Sequence, residues 1–561
     1  MFFRSKTSGP RTYLQIVENR RERGSIRQKV IATLGRLDVL QRTGQLDSLL
    51  RSGMRFSEKM AIVDSYEKGE VPVATDLKIG LPLVFGRLWK ELGIGEVIEG
   101  LLGERKFQFS IERAVFLTVL HRVSESGSDR AAEKWQEKYK IEGAGGIGLH
   151  HLYRAMGWLG EELPEGEQRA ATPFSPRCIK DAIEERIFEQ RRDLFIDLTL
   201  VFFDTTSIYF EGNGGEELGA YGHSKDHRPD LKQMVVGVII DGQGRPICSE
   251  IWPGNTTDVK TLLPVVDRLG KRFGISRVCV VADRGMISDA TVRELERRDE
   301  VSYILGVRMR KQKVVREEVL SRGGRYEEVH PKGTHRKAPS PLKVKEVRHQ
   351  GARYIICLNE DQARKDAADR EAIVASLKDT LKRGDKSLVG NKGYRKYLRT
   401  EGGGFGIDEE KVREDARYDG KWVVITNTDL SARQVALQYK QLWMVEQIFR
   451  SMKSVLSTRP IYHKCDETIR GHVFCSFLSL LLIKDLQERM EQRGWGEVEW
   501  ADLIEDLEEV KEIRIETGNK EVLIRSKMGG SSGKAFQAAG VAVPPTVRIT
   551  KRDGDGAVIP L

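Results

Sequence analysis

From residue 76 to about 192 the apolar positions recur every three to four residues, in "GLPLVFGRLWKELGIGEVIEGLL", "SIERAVFLTVLHRVSES", "SDRAAEKWQEKY" and "LHHLYRAMGWLGE". Ser or Gly stands at the breaks, so this stretch predicts a helical region. "TPFSPR" (Thr172 to Arg177) predicts a turn or linker before one more charged helix. The period then shortens. "LTLVFFDTTSIYFEG" (Leu198 to Gly212), "KQMVVGVIID" (Lys232 to Asp241) and "RPICSEIWPG" (Arg245 to Gly254) predict three strands, the last two joined by the hairpin turn "DGQG". A helix at "TDVKTLLPVVDRLGKRFG", a strand at "RVCVVAD", a helix at "SDATVRELERRD" and a strand at "VSYILGV" follow, an α/β layout with a central sheet covered by helices. Residues 306–420 break this alternation with short strand-like pieces, "YEEVH", "LKVKEV" and "RYIICLNE". "KWVVITNTD" (Lys421 to Asp429) restores a buried strand, and "YKQLWMVEQIFRSMK" (Tyr439 to Lys453) predicts a helix after it. At the start of the chain, Arg11 to Asp38 alternates apolar and polar residues on both sides of "RRERG", a β-hairpin with a basic tip. The tail after about 490 is acidic and helical, then polar and Gly-rich.

Length and charge narrow the reading. A chain of 561 residues is too long for one core and predicts two to four domains. The 6 cysteines are scattered without a CxxC pair, which argues against a zinc site or disulfide framework and for a reducing cytoplasm. "MFFRSKTSGPR" has no apolar signal region, and the longest apolar run, "VFCSFLSLLLI" (Val473 to Ile483), is too short to span a bilayer and reads as a buried helix. The formal net charge is +10, and residues 301–350 hold thirteen Lys/Arg against five Asp/Glu. A second basic cluster runs from Leu381 to Arg399. Basic blocks interleaved with aromatics point to a polyanion, nucleic acid before membrane, against the plainer reading of a solvated basic surface.

Two aspartates share one setting: Asp204 ends the apolar run "LVFF" and Asp283 ends "VCVVA". Strand ends on a rigid sheet are where α/β proteins place reacting groups, although Asp is also ordinary turn chemistry, as in "IIDGQG" at Asp241. Asp204 is followed by strand-type residues, so its carboxylate is predicted within the strand, where a charge without a partner is costly and a cation would resolve it. On a continuous helix, Tyr439, Glu446 and Lys453 fall on one line with Arg450 beside them. The plain reading of that column is a solvated face; the chemical one is a third carboxylate flanked by phosphate contacts. Three carboxylates can hold two hard divalent cations that activate a hydroxyl and stabilise a leaving oxygen. Lys225, Arg228 and Lys232 in "SKDHRPDLK", with His227, could line a DNA path or a solvated loop. His463 and His472 read as packing or helix-end residues, and "GGSSGKA" (Gly529 to Ala535) fails as a phosphate loop in spacing and in its last residue.

"FFDTTSIYF", "VVADRGMIS" and "YKQLWMVEQIFRSMKS" together resemble the three signature blocks of DDE transposases from bacterial insertion sequences, closest to the 1634-type group of the insertion-sequence 4 superfamily. "YGHSKDHRPDLKQMVVGVIIDGQGRPICSEIWPGNTTD" and "RPIYHKCDETIRGHVFCSFLSLLL" extend the resemblance over most of residues 198–485. It implies an α/β, ribonuclease-H-like catalytic domain interrupted by a β-rich insertion, with a β-hairpin-containing N-terminal region and a helical domain. The divisions expected are 1–75 (hairpin region, DNA binding), 76–192 (helical, DNA-end recognition), 193–305 and 421–490 (catalytic core), 306–420 (basic insertion) and 491–561 (tail). Asp204, Asp283 and Glu446 become the catalytic residues and ligands of two Mg²⁺ ions, with Mn²⁺ as the alternative. Tyr439, Arg450, Lys453, Lys225, Arg228 and Lys232 become DNA contacts. In the family's Tyr-Arg-Glu-Lys signature the Arg position holds Leu442, which leaves one phosphate contact open beside Arg450. The aromatic that would hold a flipped base is not assigned: Trp422 and Trp252 are candidates, but each reads first as a core residue. The implied function is metal-dependent cleavage and strand transfer at the inverted-repeat ends of the element, by a cytoplasmic homodimer acting on terminal repeats and target DNA, with no membrane partner. The rivals are a ribonuclease-H-fold nuclease or resolvase without strand transfer, and a catalytically inactive DNA-binding regulator.

Overall fold

Alternating residues near the N-terminus pair as expected, and with one strand more. The computed structural model has β1 (Phe2–Ser8), β2 (Arg11–Glu22) and β3 (Ser25–Arg36) in one antiparallel sheet, with Leu14 and Val17 buried. The structure describes residues 1–22, 25–54, 73–168, 171, 175–191, 200–275, 277–330, 341–382, 394–401, 404–456, 458–517, 520–552 and 558–560. The hairpin tip, half of the "TPFSPR" turn and most of the basic cluster after Leu381 lie outside these residues.

After β4 (Val73–Lys78) come the helices read from the 3.6-residue period: α1 (Gly80–Glu91), α2 (Ile94–Leu102), α3 (Ile111–Ser124), α4 (Asp129–Trp135), α5 (Leu149–Leu159) and α6 (Ile179–Gln190). Ser110 and Ser128 cap α3 and α4, each hydroxyl accepting from a backbone N–H one turn on.

The central sheet has nine strands: β5 (Leu200–Tyr209), β6 (Gln233–Asp241), β7 (Pro246–Pro253), β8 (Val278–Ala282), β9 (Val301–Gly306), β10 (Glu327–Val329), β11 (Leu342–His349), β12 (Ala352–Leu358) and, after a separate pair β13 (Leu398–Glu401) and β14 (Gly404–Ile407), β15 (Lys421–Thr426). Their order across the sheet is β10-β11-β12-β15-β9-β8-β5-β6-β7. β5, β8 and β9 run parallel, and the remaining pairs are antiparallel. The strand-like pieces of residues 306–420 therefore extend the same sheet. A 23-residue helix, α9 (Glu360–Lys382), follows β12 and leads to the separate β13–β14 pair; α7 (Leu262–Phe273) and α8 (Asp289–Glu296) precede it.

Alternation along β5 divides the core between the two faces. Phe202 and Ile208 join one cluster with the helices that follow β15, and Phe203 joins the other with Trp252 and α7. Those later helices are α10 (Ala432–Lys440), which packs on β8 and β9, α11 (Trp443–Arg450), which packs on β5 and β6, and the buried α12 (Asp466–Gln492). The tail forms α13 (Trp500–Glu508), then β16 (Lys511–Thr517), β17 (Lys520–Arg525), β18 (Val547–Arg552) and β19 (Val558–Pro560), and β16 pairs back with β4. Among the described residues no helix is long and apolar enough to cross a membrane.

α12 crosses α5 at near backbone contact, because Gly471 has no side chain. A Cβ there would lie 1.9 Å from the carbonyl oxygen of Met156. Gly471→Ala must push the two helices apart, an overpacking cost of about 1–3 kcal/mol. Its urea unfolding midpoint is expected below that of the wild type; an unchanged midpoint would contradict the close crossing.

Candidate active site

Parallel pairing of β5 with β8 sets Phe203 opposite Ala282. Asp204 and Asp283 come one residue later on strands roughly 4.8 Å apart. Asp204 lies inside β5, paired with Val238 of β6, as its strand-type neighbours predict. Asp283 is the first residue past β8 and opens a single 3₁₀ turn, Arg284–Met286. Alternation turns Asp204 to the face of Phe202 and Asp283 to that of Val281, the face covered by α10 and α11.

Asp204 accepts a hydrogen bond from the Thr205 backbone N–H at 2.7 Å, and Asp283 accepts one from the Tyr439 hydroxyl at 3.0 Å. Burial pushes the Asp204 carboxyl up to about 7. Asp283 and Asp258 push it the same way, while Lys225 and the Thr205 N–H pull it down. Burial and the Asp283 charge raise the Tyr439 phenol far above its ordinary value, so it remains a proton donor. Gly306, at the end of β9, makes that contact possible, since a Cβ there would lie 2.0 Å from the Tyr439 hydroxyl.

The stretch from Tyr439 to Lys453 is not one continuous helix, so the straight column expected from its spacing does not form. Tight i→i+3 bonds from Leu442 to Tyr439 and from Val445 to Leu442 break it between α10 and α11. Further on, a π-turn over Ser451–Val455 shifts the phase again. Tyr439 consequently reaches under the sheet end to Asp283. Glu446 stands on the exposed face of α11, with Arg450 one turn on and Trp443 one turn before, above buried Val445 and Phe449. Lys453 pairs with Asp226 at 2.8 Å. Among the described residues the Glu446 carboxylate has no hydrogen bond or ion pair, and Asp204, Asp283 and Glu446 do not bring their ligand atoms all within 4.8 Å of one another. Bare carboxylates repel, and the outer ligands of an ion pair, bound to different ions, need not approach that closely.

Comparison with known proteins decides the family. The family model described as the Transposase DDE domain matches residues 196–482. The chain belongs to the DDE transposases. The model of the IS1634 family transposase N-terminal domain matches residues 3–66, which assigns it to the IS1634 type. Among solved structures, the Mos1 transposase paired-end complex with left transposon end aligns at 14% identity and a TM-score of 0.14, over 36% of this chain and 60% of that one. The alignment thus spans less than two thirds of the Mos1 chain. No curated protein matches.

Beside the two aspartates this DDE transposase carries groups that sequence reading passed over. Asp258, in the block "GNTTD", accepts from the Thr205 hydroxyl at 2.7 Å and pairs with Lys225 at 3.1 Å. The Lys225 ammonium also donates to the Thr205 carbonyl at 2.7 Å and its hydroxyl at 2.9 Å, so its three hydrogens are committed. Arg228 pairs with Asp230 and lies over the Tyr209 ring, and Lys232 is half-buried. A cleft of about 310 Å³ opens beside Asp283 and is lined by Arg284, Arg308, Arg310 and Lys311. Trp252 is buried and Trp422 packs into the core, whereas Trp443 is exposed. His463 and His472 gather with Asp129 elsewhere, where an Arg122 guanidinium nitrogen stands 2.9 Å from a His472 ring nitrogen.

Asp204 gives this transposase a pH signature. Its carboxyl is raised from 3.8 in the unfolded chain to about 7 in the fold, so the charged form destabilises the fold. That penalty is absent below about pH 4, grows up to about pH 7 and is complete above it. In chelator, Asp204→Asn is expected to exceed the wild type in stability at pH 8 by on the order of 4 kcal/mol, with the gap closing by pH 4. Equal gaps at both pH values in urea titrations would contradict the buried-carboxylate assignment.

Proposed function

We propose that this DNA transposase cuts and rejoins the ends of its element with two divalent ions, Mg²⁺ before Mn²⁺, held by Asp204, Asp283 and Glu446. The observation that carries the reading is the adjacency of Asp204 and Asp283 on parallel strands under the helix that bears Glu446. The donor atoms are carboxylate oxygens, as a hard cation prefers, and the local charge favours one: Asp204, Asp283 and Asp258 against the single Lys225 ammonium leave two negative charges. Bound there, the ions would activate a water or a 3′-hydroxyl and stabilise the leaving oxygen. The chain's own residues do the rest. Asp204 and Asp283 are fixed by the sheet, Tyr439 holds one oxygen of Asp283 and so sets the direction of the other, and Glu446 faces solvent where the nucleic acid enters. The basic cleft beside Asp283 takes backbone phosphates, and Trp443 offers a flat face to an unstacked base.

A ribonuclease-H-like core is supported by the order β7-β6-β5-β8-β9, three antiparallel strands followed by two parallel ones. In this reading residues 193–305 and 421–490 form the catalytic core, 306–420 the insertion, and 1–75 and 76–192 recognise the terminal repeats. Residues 491–561 are the tail, joined to the helical region through β4 and β16. A homodimer pairs the two ends.

Asp204→Ala, Asp283→Ala and Glu446→Ala should each reduce cleavage of labelled end DNA in Mg²⁺ at least a thousandfold while leaving end binding within a few-fold of wild type. Substantial cutting by any of the three sinks the assignment of that residue. Nicked but unjoined products from the wild type, with target DNA present, would favour a nuclease that does not transfer strands.

A further inference from the structure

Lys453 and Arg459 converge on one carboxylate. The Lys453 ammonium lies 2.8 Å and an Arg459 guanidinium nitrogen 2.6 Å from the same oxygen of Asp226, its Oδ1. The second oxygen of Asp226 is buried without a hydrogen-bond partner, so neither cation is paired through both oxygens. Among the described residues Asp226 is the one carboxylate in ion-pair range of either, which leaves the group with one surplus positive charge. Burial lowers the Lys453 pKa, the direction expected of a cation short of counter-charge. The side chains of Asp226 and Lys453 are 6% and 13% exposed and that of Arg459 is 29%, so the group opens to solvent on the arginine side. Asp226 cannot swing away easily. Its neighbour Lys225 is tied to Thr205 and Asp258, and the Lys225 backbone N–H donates to the Ser207 hydroxyl at 2.7 Å. Lys225 also couples the group to Asp204, since its charge acts on both Asp204 and Lys453.

We propose that Arg459, brought beside Lys453 by their shared partner Asp226, is a further DNA contact: it completes a seat for one backbone phosphate of the strand entering the Asp204–Asp283 site, where the family signature accounts for Lys453 alone. This rests on the transposase reading above. A phosphodiester carries the single negative charge that the group lacks, and Arg459, whose guanidinium also lies over the Tyr209 ring, is the member of the group most open to solvent. Asp226 is a positioning residue that presents the pair. The π-turn after α11 and the reversal behind it, where the Thr458 N–H donates to the Met452 carbonyl at 3.1 Å, bring Arg459 beside Lys453. Arg450, nearer in sequence to Glu446, stays on the exposed face of α11.

The test measures binding of the full-length protein to a duplex carrying the element's end, and to an unrelated duplex of equal length, across a range of salt. Arg459→Gln keeps an N–H for Asp226 but loses the charge. It is expected to bind both duplexes several-fold more weakly, with the slope of log K against log salt shallower by about one. Arg459→Lys should restore the slope. A slope unchanged in Arg459→Gln means that Arg459 only neutralises Asp226, and overturns the proposal. If Arg459→Gln melts early, Asp226→Asn/Arg459→Gln measured against Asp226→Asn carries the same comparison with the same two outcomes. Wild-type protein that neither binds nor cuts end DNA in Mg²⁺ overturns the transposase reading and this proposal together; wild-type cutting with an unchanged slope overturns the phosphate seat alone.

Discussion

Phe203 lies opposite Ala282 in the parallel pairing of β5 with β8, and two carboxylates follow one step later on the same face. A slip of one residue would send one of them through the sheet to the Trp252 side. The register is guarded from both faces, because Phe202 and Val281 fill one core and Phe203 and Ala282 the other. With that pairing fixed, Tyr439 reaches Asp283 through the gap left at Gly306. The position of α10 and α11 over the same face follows from β15 joining the sheet beside β9.

Charge is distributed around this pair with little slack. Lys225 spends all three hydrogens on Thr205 and Asp258, and Asp226, the next residue, holds Lys453 and Arg459. One loop thus ties β5 to the chain beyond Glu446. Behind the sheet, Arg272 is buried among Asp181, Glu184, Glu185 and Glu250, and Lys180 joins them from α6. Such a network adds little net stability over apolar packing, but removing one member strands a buried charge. It fixes α6 and α7 against β7 in one arrangement.

Much of the fold was legible because burial imposes period. The three strands from Leu200 to Pro253, the alternation to Gly306 and the buried helix around Val473 to Ile483 all announce themselves in apolar spacing. Less legible was α9, "EDQARKDAADREAIVASLKDTLK", whose good helix formers bury Leu377 alone and so leave almost no stripe to read. The return of β16 to β4 was hidden for another reason: pairing across more than four hundred residues leaves no local mark. Asp204 and Asp283 were visible as carboxylates closing apolar runs. Asp258, Asp226 and Arg459 were not, since each sits in a polar loop and gains meaning only from its partner. The straight column from Tyr439 to Lys453 failed because two or three backbone hydrogen bonds of unusual span rotate the helix, and residue type does not report such bonds.

The most direct test of the central claim is anomalous diffraction from crystals of the protein with end DNA and Mn²⁺. The account predicts manganese in contact with the carboxylates of Asp204 and Asp283, with Glu446 turned inward to complete the set. Manganese bound away from both aspartates, or beside them with Glu446 still pointing to solvent, would contradict it.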